Sequence, residues 1–218
     1  MVRNQTLSIG NSMSGDVVIA LSLFAIATSI TPGPNNIMLL ASGVNFGFRR
    51  TLPHTVGISA GLFVLLLSVG LGLGFLFMTF PTLQLVLKIV GSTYMLYLAV
   101  RIATSRSLTS KEKSKESQVQ NKVTQPLNVV EAALFQWVNP KAWVMAVSGM
   151  SIYTSSQQPI RSTVIVAILF SLLNWPCVCS WAVFGSALRG FLSDPVRLRW
   201  FNVAMGALLA ASIVLLLK

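Results

Sequence analysis

Apolar residues fall along the chain in six long runs separated by polar gaps. The runs cover about Val17–Ser42, Thr55–Phe80, Leu83–Ala103, Leu127–Ile152, Val164–Leu188 and Trp200–Leu217. Each is long enough to cross a bilayer as a helix, which takes about 20 residues. None alternates with the two-residue period of a barrel strand, and a helix satisfies its backbone within the segment. The pattern predicts an all-α integral membrane protein of six transmembrane helices. The gap after the third run is the only long one. It is rich in Ser, Lys, Gln and Glu, lacks aromatic residues, and reads as a cytoplasmic linker over 105–126. It separates a first three-helix repeat, 1–104, from a second, 127–218.

Two runs carry interruptions in matching places. The first contains Thr31-Pro32-Gly33-Pro34-Asn35-Asn36. Each proline removes a backbone donor and clashes with the preceding turn, and it pushes the residue before it out of the α region. Two half-helices joined by an unwound segment are therefore expected. Asn35 and Asn36 open the second of them, where free N–H groups and the helix dipole favour an anion. The fourth run, first of the second half, is interrupted at Phe135-Gln136-Trp137-Val138-Asn139-Pro140-Lys141. Halves with an odd number of spans face opposite ways across the membrane. Paired broken helices in such inverted repeats point to a transporter site near the midplane.

Composition agrees with a membrane chain. Hydrophobic residues make up 54% and charged residues 10%, against about 25% charged in soluble domains. The net charge of +11 does not signal nucleic acid, because the basic residues sit in the gaps between runs. Eleven of them lie in the first, third and fifth gaps (Arg49, Arg50; Arg101 to Lys122; Arg189, Arg197, Arg199). Only Arg3, Arg161 and Lys218 lie on the other side. The bias puts the odd-numbered gaps in the cytoplasm and both termini outside. The segment before Val17 lacks a basic n-region, so cleavage after Ala27 is not expected. Cys177 and Cys179 point in different directions on a helix and make no metal site; no cofactor is expected. One His, no central pair of carboxylates and no H-E-x-x-H exclude the usual intramembrane enzymes.

Together, Thr31-Pro32-Gly33-Pro34-Asn35, Gly47-Phe48-Arg49 with Gly57 and Gly61, Leu96-Tyr97-Leu98-Ala99 and Asn139-Pro140-Lys141 resemble the LysE/RhtB family of bacterial amino-acid exporters. The resemblance covers nearly the whole chain. Ile102-Ala103-Thr104-Ser105 is most similar to the branch exporting cysteine and O-acetylserine. Departures are the extended N-terminus before Asp16 and a break expected at Pro176 in the fifth helix. The resemblance implies an inner-membrane antiporter driven by the proton gradient.

An amino acid is a zwitterion and needs donors for its carboxylate and acceptors for its ammonium. Lys141 is the basic side chain nearest the middle of a span, where charge is expensive and functional by default. It and the half-helix start after Pro34 are the expected carboxylate site. The alternative is that Lys141 snorkels or latches a backbone carbonyl. The unwound carbonyls of Thr31, Pro32 and Gly33, with Asn36, Asn139, next to Pro140, and Asn174, are the candidate acceptors. Of five acidic residues only Glu131 might enter a span, which favours small neutral amino acids over lysine or arginine. A basic-amino-acid exporter or a passive channel remain the alternatives. Candidates for proton coupling are His54, suited by its ordinary pKa though placed near the cytoplasmic end, Glu131 and Lys141. Gly57 with Gly61 and Gly43 with Gly47 allow close helix approach, either inside the monomer or in a homodimer.

Overall fold

The computed structural model describes residues 14–105 and 125–217, and all the regular secondary structure among them is helical. The N-terminal extension and nearly all of the expected linker lie outside the described residues. The first half comprises α1 (Gly15–Ile30), α2 (Pro34–Phe46), α3 (Phe48–Ser68), a π-helical turn (Val69–Leu73), α4 (Gly74–Thr79) and α5 (Pro81–Ala103). The second comprises α6 (Val129–Phe135), α7 (Pro140–Tyr153), α8 (Pro159–Leu188), a 3-10 turn (Phe191–Ser193) and α9 (Pro195–Leu217).

Proline writes much of this segmentation. Helices α2, α5, α7 and α8 all open on it, the position where a missing N–H costs nothing. The two interruptions seen in the sequence are therefore helix starts. Between α1 and α2 the chain bends by 57°. Gly47, at φ 82°, ends α2 and starts α3; a left-handed value there favours glycine. Gly72, at φ 112°, kinks the second run within its π turn.

The helices depart from the sequence pattern in several places: α8 and α9 start at Pro159 and Pro195, ahead of Val164 and Trp200. The second helix starts at Phe48 rather than near Thr55, so Arg49 and Arg50 lie in its first turn and Pro53 lies inside it. Pro53 is close enough to the helix start that the carbonyl it leaves unpaired belongs to exposed Arg49. The break expected at Pro176 is absent: α8 runs continuously through it, as membrane helices can. Cys177 and Cys179 are free thiols on that helix.

Helix α3 continued to Leu73, α5, α8 and α9 are long and apolar enough to cross a membrane, and α1 with α2 make a fifth if the bent pair is one span. Helix α7 alone, 14 residues, reaches only about 21 Å against a hydrocarbon core of about 30 Å. The surface is apolar, and the interior combines a hydrophobic core with buried polar side chains. Leu23, Phe75, Val144, Leu172 and Trp200 are exposed, while Asn36, Asn45, His54, Gln136, Asn139, Asn174 and Asn202 are buried. Apolar side chains outside fit a lipid surface, and polar side chains held inside a membrane helix bundle point to a functional interior.

Backbones approach closely at glycine. A Cβ on Gly43 would meet the Ala182 carbonyl and lie 3.1 Å from Gly185 Cα, so α2 crosses α8 in direct contact. A Cβ on Gly57 would meet the Val129 carbonyl, and one on Gly61 would lie 2.5 Å from the Ala133 carbonyl oxygen. That seats α6 on α3. The first G-x-x-x-G therefore builds the monomer's interior; in the second, Gly43 does so while Gly47 is the hinge. Helix α3 also packs along α8, and α5 along α9.

Candidate functional site

The α1–α2 break and the α6–α7 break meet. Asn35, at the start of α2, and Gln136, just past α6, exchange reciprocal amide hydrogen bonds: Asn35 Nδ2 to Gln136 Oε1 at 2.9 Å, Gln136 Nε2 to Asn35 Oδ1 at 3.2 Å. Gln136 also donates to the Ala132 carbonyl at 2.9 Å. Asn36 turns back to tie the first break. Its Nδ2 donates to the carbonyls of Ser29 (2.9 Å) and Thr31 (2.7 Å). These are carbonyls at the C-terminal end of α1, which stops at Ile30 ahead of Pro32 and leaves them without intrahelical partners. Asn139 caps α7, accepting from the Lys141 backbone N–H at 3.1 Å.

Lys141 spans the two breaks. Its Nζ donates to the Thr31 carbonyl and to Thr31 Oγ1 (2.9 Å), and lies 3.4 Å from the Pro32 carbonyl. The stem of the side chain fills the place of a side chain at position 33: a Cβ on Gly33 would lie 2.7 Å from Lys141 Cδ. Glycine is thus required by the lysine rather than by a strained backbone, which is extended there. Of the unwound carbonyls, that of Thr31 accepts from both Lys141 and Asn36, and that of Pro32 from Lys141.

A small polar cavity lies between the breaks, lined by Ser29, Gly33, Asn35, Asn36, Gln136 and Asn139, with Lys141 and Asn174 and the apolar side chains of Leu62, Ala142, Met145 and Val178. Its volume, about 20 Å³, holds about one water, not an amino acid. No carboxylate lines it. Asn174 anchors the wall from α8, donating to Ser29 Oγ at 3.0 Å and accepting from Ser59 Oγ at 2.9 Å. Trp181 donates to the Ile30 carbonyl at 3.0 Å, a further hold on the frayed end of α1.

The structure therefore gathers Thr31, Pro32, Gly33, Pro34, Asn35, Asn36, Asn139, Pro140, Lys141 and Asn174 around one cavity and its rim. It does not bring His54 or Glu131 there. Glu131 forms a reciprocal cap with Asn128 at the start of α6, its carboxylate accepting from the Asn128 N–H at 3.0 Å. His54 is buried, 2% exposed, in α3, rather than solvated at an interface. Ser29, Ser59 and Gln136 belong to the site although their sequence context did not mark them as site residues. The available signal was a polar side chain within an apolar run. Trp143 donates to the Trp137 carbonyl at 2.8 Å, and the two rings meet edge to face at 6.3 Å; both pack against the core beside α7.

Residues 26–217 match the family model described as LysE type translocator. The chain is 30% identical over 175 residues, 79% of its length and 84% of theirs, to the cysteine/O-acetylserine efflux proteins of Escherichia coli strain K12 and Shigella sonnei strain Ss046. The counterpart from Escherichia coli O6:H1 strain CFT073 matches to the same extent. No solved structure matches. With a family match over most of its length and both broken helices in place, this chain belongs to the LysE type translocators, and is a transporter rather than an enzyme.

Proposed function

We propose that this protein exports small neutral amino acids or their derivatives, of the cysteine, O-acetylserine, serine and threonine type, across the bacterial inner membrane. The observation that carries the reading is the contact of Lys141 Nζ with the Thr31 carbonyl across the two breaks, where a cationic donor meets backbone acceptors and no carboxylate. A zwitterion is the ligand that replaces such a pair by two: its carboxylate takes Lys141, and its ammonium takes the released carbonyls of Thr31 and Pro32. The first exchange trades a neutral acceptor for a charged one, which strengthens the bond. Asn35 and Gln136 would part or turn to admit the backbone of the substrate. The lack of a carboxylate on the cavity wall favours a neutral side chain over lysine or arginine.

In this reading the helices form six crossings in two inverted halves, with α1–α2 matched to α6–α7, α3 to α8 and α5 to α9. The site then lies at their pseudo-two-fold, where α3 packs on α8 and the breaks touch. Both termini lie outside, and the linker and Arg49 face the cytoplasm. Export is coupled to proton entry into the cell. Of the coupling candidates Lys141 is the one on the cavity wall, and Glu131 is engaged as a cap.

Counterflow in proteoliposomes tests this. Vesicles preloaded with unlabelled serine, cysteine or O-acetylserine should take up the labelled compound in a saturable way. Lysine and ethanolamine, an amine with no carboxylate, should be inert. Exchange of lysine would overturn the substrate class, and non-saturating flux without exchange would indicate a channel.

A further inference from the structure

A second cavity lies between α2, α3, α5 and residues 125–127, where the linker rejoins the helices, on the side of Arg49 and Arg50. It has a volume of about 50 Å³, room for about three water-sized groups, which is the size of a carboxylate. Its polar wall is Ser42 and Asn45 of α2, His54 of α3, Arg101 of α5, Ser105 just past that helix, and Gln125. Arg101 is the only charged side chain in that wall. It gives one guanidinium bond to the Gln125 carbonyl, at 2.8 Å, of the five donors it carries.

The neighbouring polar groups are already satisfied. Ser42 pairs with Thr51 (2.8 Å). Asn45 and Asn202 exchange amide bonds at 2.8 and 3.2 Å, and Ser105 donates to Asn45 at 3.2 Å. His54 differs. It is buried, it lines the cavity, and neither ring nitrogen has a hydrogen-bond partner. A buried imidazole left so costs free energy unless something in the cavity completes it. The pocket adjoins the central site: Asn35 and Asn36 open α2, and Met38 borders the second cavity on the same helix. Met38, at the second cavity, and Phe135, next to Gln136 of the central one, belong with Leu39 and Ile58 to one buried apolar cluster, which would serve as an apolar seal between the two.

We propose that this cavity is a second substrate subsite, on the cytoplasmic side, in which Arg101 and His54 hold the carboxylate of an amino acid before the apolar seal opens to the paired breaks. It rests on the exporter reading for the identity of the ligand, but the carboxylate chemistry stands on the cavity alone. Arg101 supplies a charge and a two-pronged donor for a planar carboxylate, and the imidazole supplies one N–H. A small neutral amino acid would thus meet a carboxylate clamp twice along its way, first at Arg101 and then at Lys141.

His54 is the sole histidine of the sequence, so ring-labelled histidine gives a single reporter in protein purified without a histidine tag and held in nanodiscs. Serine and propionate should shift its ring nitrogen resonances saturably, and ethanolamine should not. Arg101→Gln should weaken that response by about tenfold or more, the loss of a charge-assisted bond, and Arg101→Lys should retain part of it. Lys141→Met should leave the response intact, which separates this subsite from the central one. A resonance indifferent to serine and propionate, in protein that exchanges serine normally, would overturn the subsite and leave the exporter standing. So would a response unchanged in Arg101→Gln. A propionate response in protein that exchanges no amino acid would sustain the subsite and count against the exporter.

Discussion

Gly61 holds α6 against α3, and its replacement by alanine should disable the site from a distance. A Cβ there would lie 2.5 Å from the Ala133 carbonyl oxygen, 2.6 Å from Ala133 Cα and 2.8 Å from Gln136 Cγ. Ordinary contact begins near 3.4 Å, and two of the three neighbours are backbone, so α6 must retreat by about 0.8 Å, a shift that overpacked interiors resist at about 1–3 kcal/mol. Gln136 follows α6. A retreat of that size stretches the 2.9 and 3.2 Å amide bonds to Asn35 beyond hydrogen-bonding distance, and the two breaks lose their register. Transport is expected to fall at least about tenfold, since displacements near 1 Å in a binding constellation cost that much or more. The assay is serine counterflow normalised to reconstituted protein, beside thermal unfolding in detergent. Gly190→Ala, where a Cβ meets open space, is the control. Gly61→Ala transporting as well as Gly190→Ala would refute the claim that the seat of α6 positions the site.

Asn36→Leu should lower stability by about 1–3 kcal/mol, because the Ser29 and Thr31 carbonyls lose their donor inside the protein. Asn36→Asp keeps the shape but an ionised carboxylate cannot donate, so it should be no better; full stability of the Asp variant in thermal unfolding would show that shape rather than hydrogen bonding matters. For topology, single cysteines in a Cys177→Ser, Cys179→Ser background should react asymmetrically with an impermeant maleimide. Glu112→Cys in the linker should label only in inverted vesicles, and Ser156→Cys, between α7 and α8, only from outside in intact cells; the opposite pattern would reverse the orientation.

Much of this was legible in the sequence because proline and charge act locally. Pro34 and Pro140 mark the starts of α2 and α7 whatever surrounds them, and Lys141 is conspicuous as a cation within an apolar run. What the pattern missed depends on distant contacts. Gln136 joins the site only because α6 sits on α3 at Gly57 and Gly61, which brings it to Asn35 across 101 residues of chain. Ser29 becomes a wall residue beside Asn174, and Ser59 supports that wall from behind, because Asn174 hydrogen-bonds to both. The burial of His54 was hidden because the helix containing it starts at Phe48, several residues before the apolar run does. Pro176 shows the converse limit: a local helix breaker accommodated within a continuous α8.

Lys141 is central to the proposed function, in which its Nζ would leave the Thr31 carbonyl to receive the carboxylate of the substrate. Its replacement by methionine keeps the length and packing of the stem beside Gly33 and removes the charge. The decisive measurement is counterflow of labelled serine and O-acetylserine by Lys141→Met at matched levels of inserted, folded protein. Exchange is expected to fall to the level of empty vesicles. Exchange at the unmodified rate with an unchanged half-saturation concentration would contradict that expectation, and would reduce the contact between Lys141 and Thr31 to a structural latch.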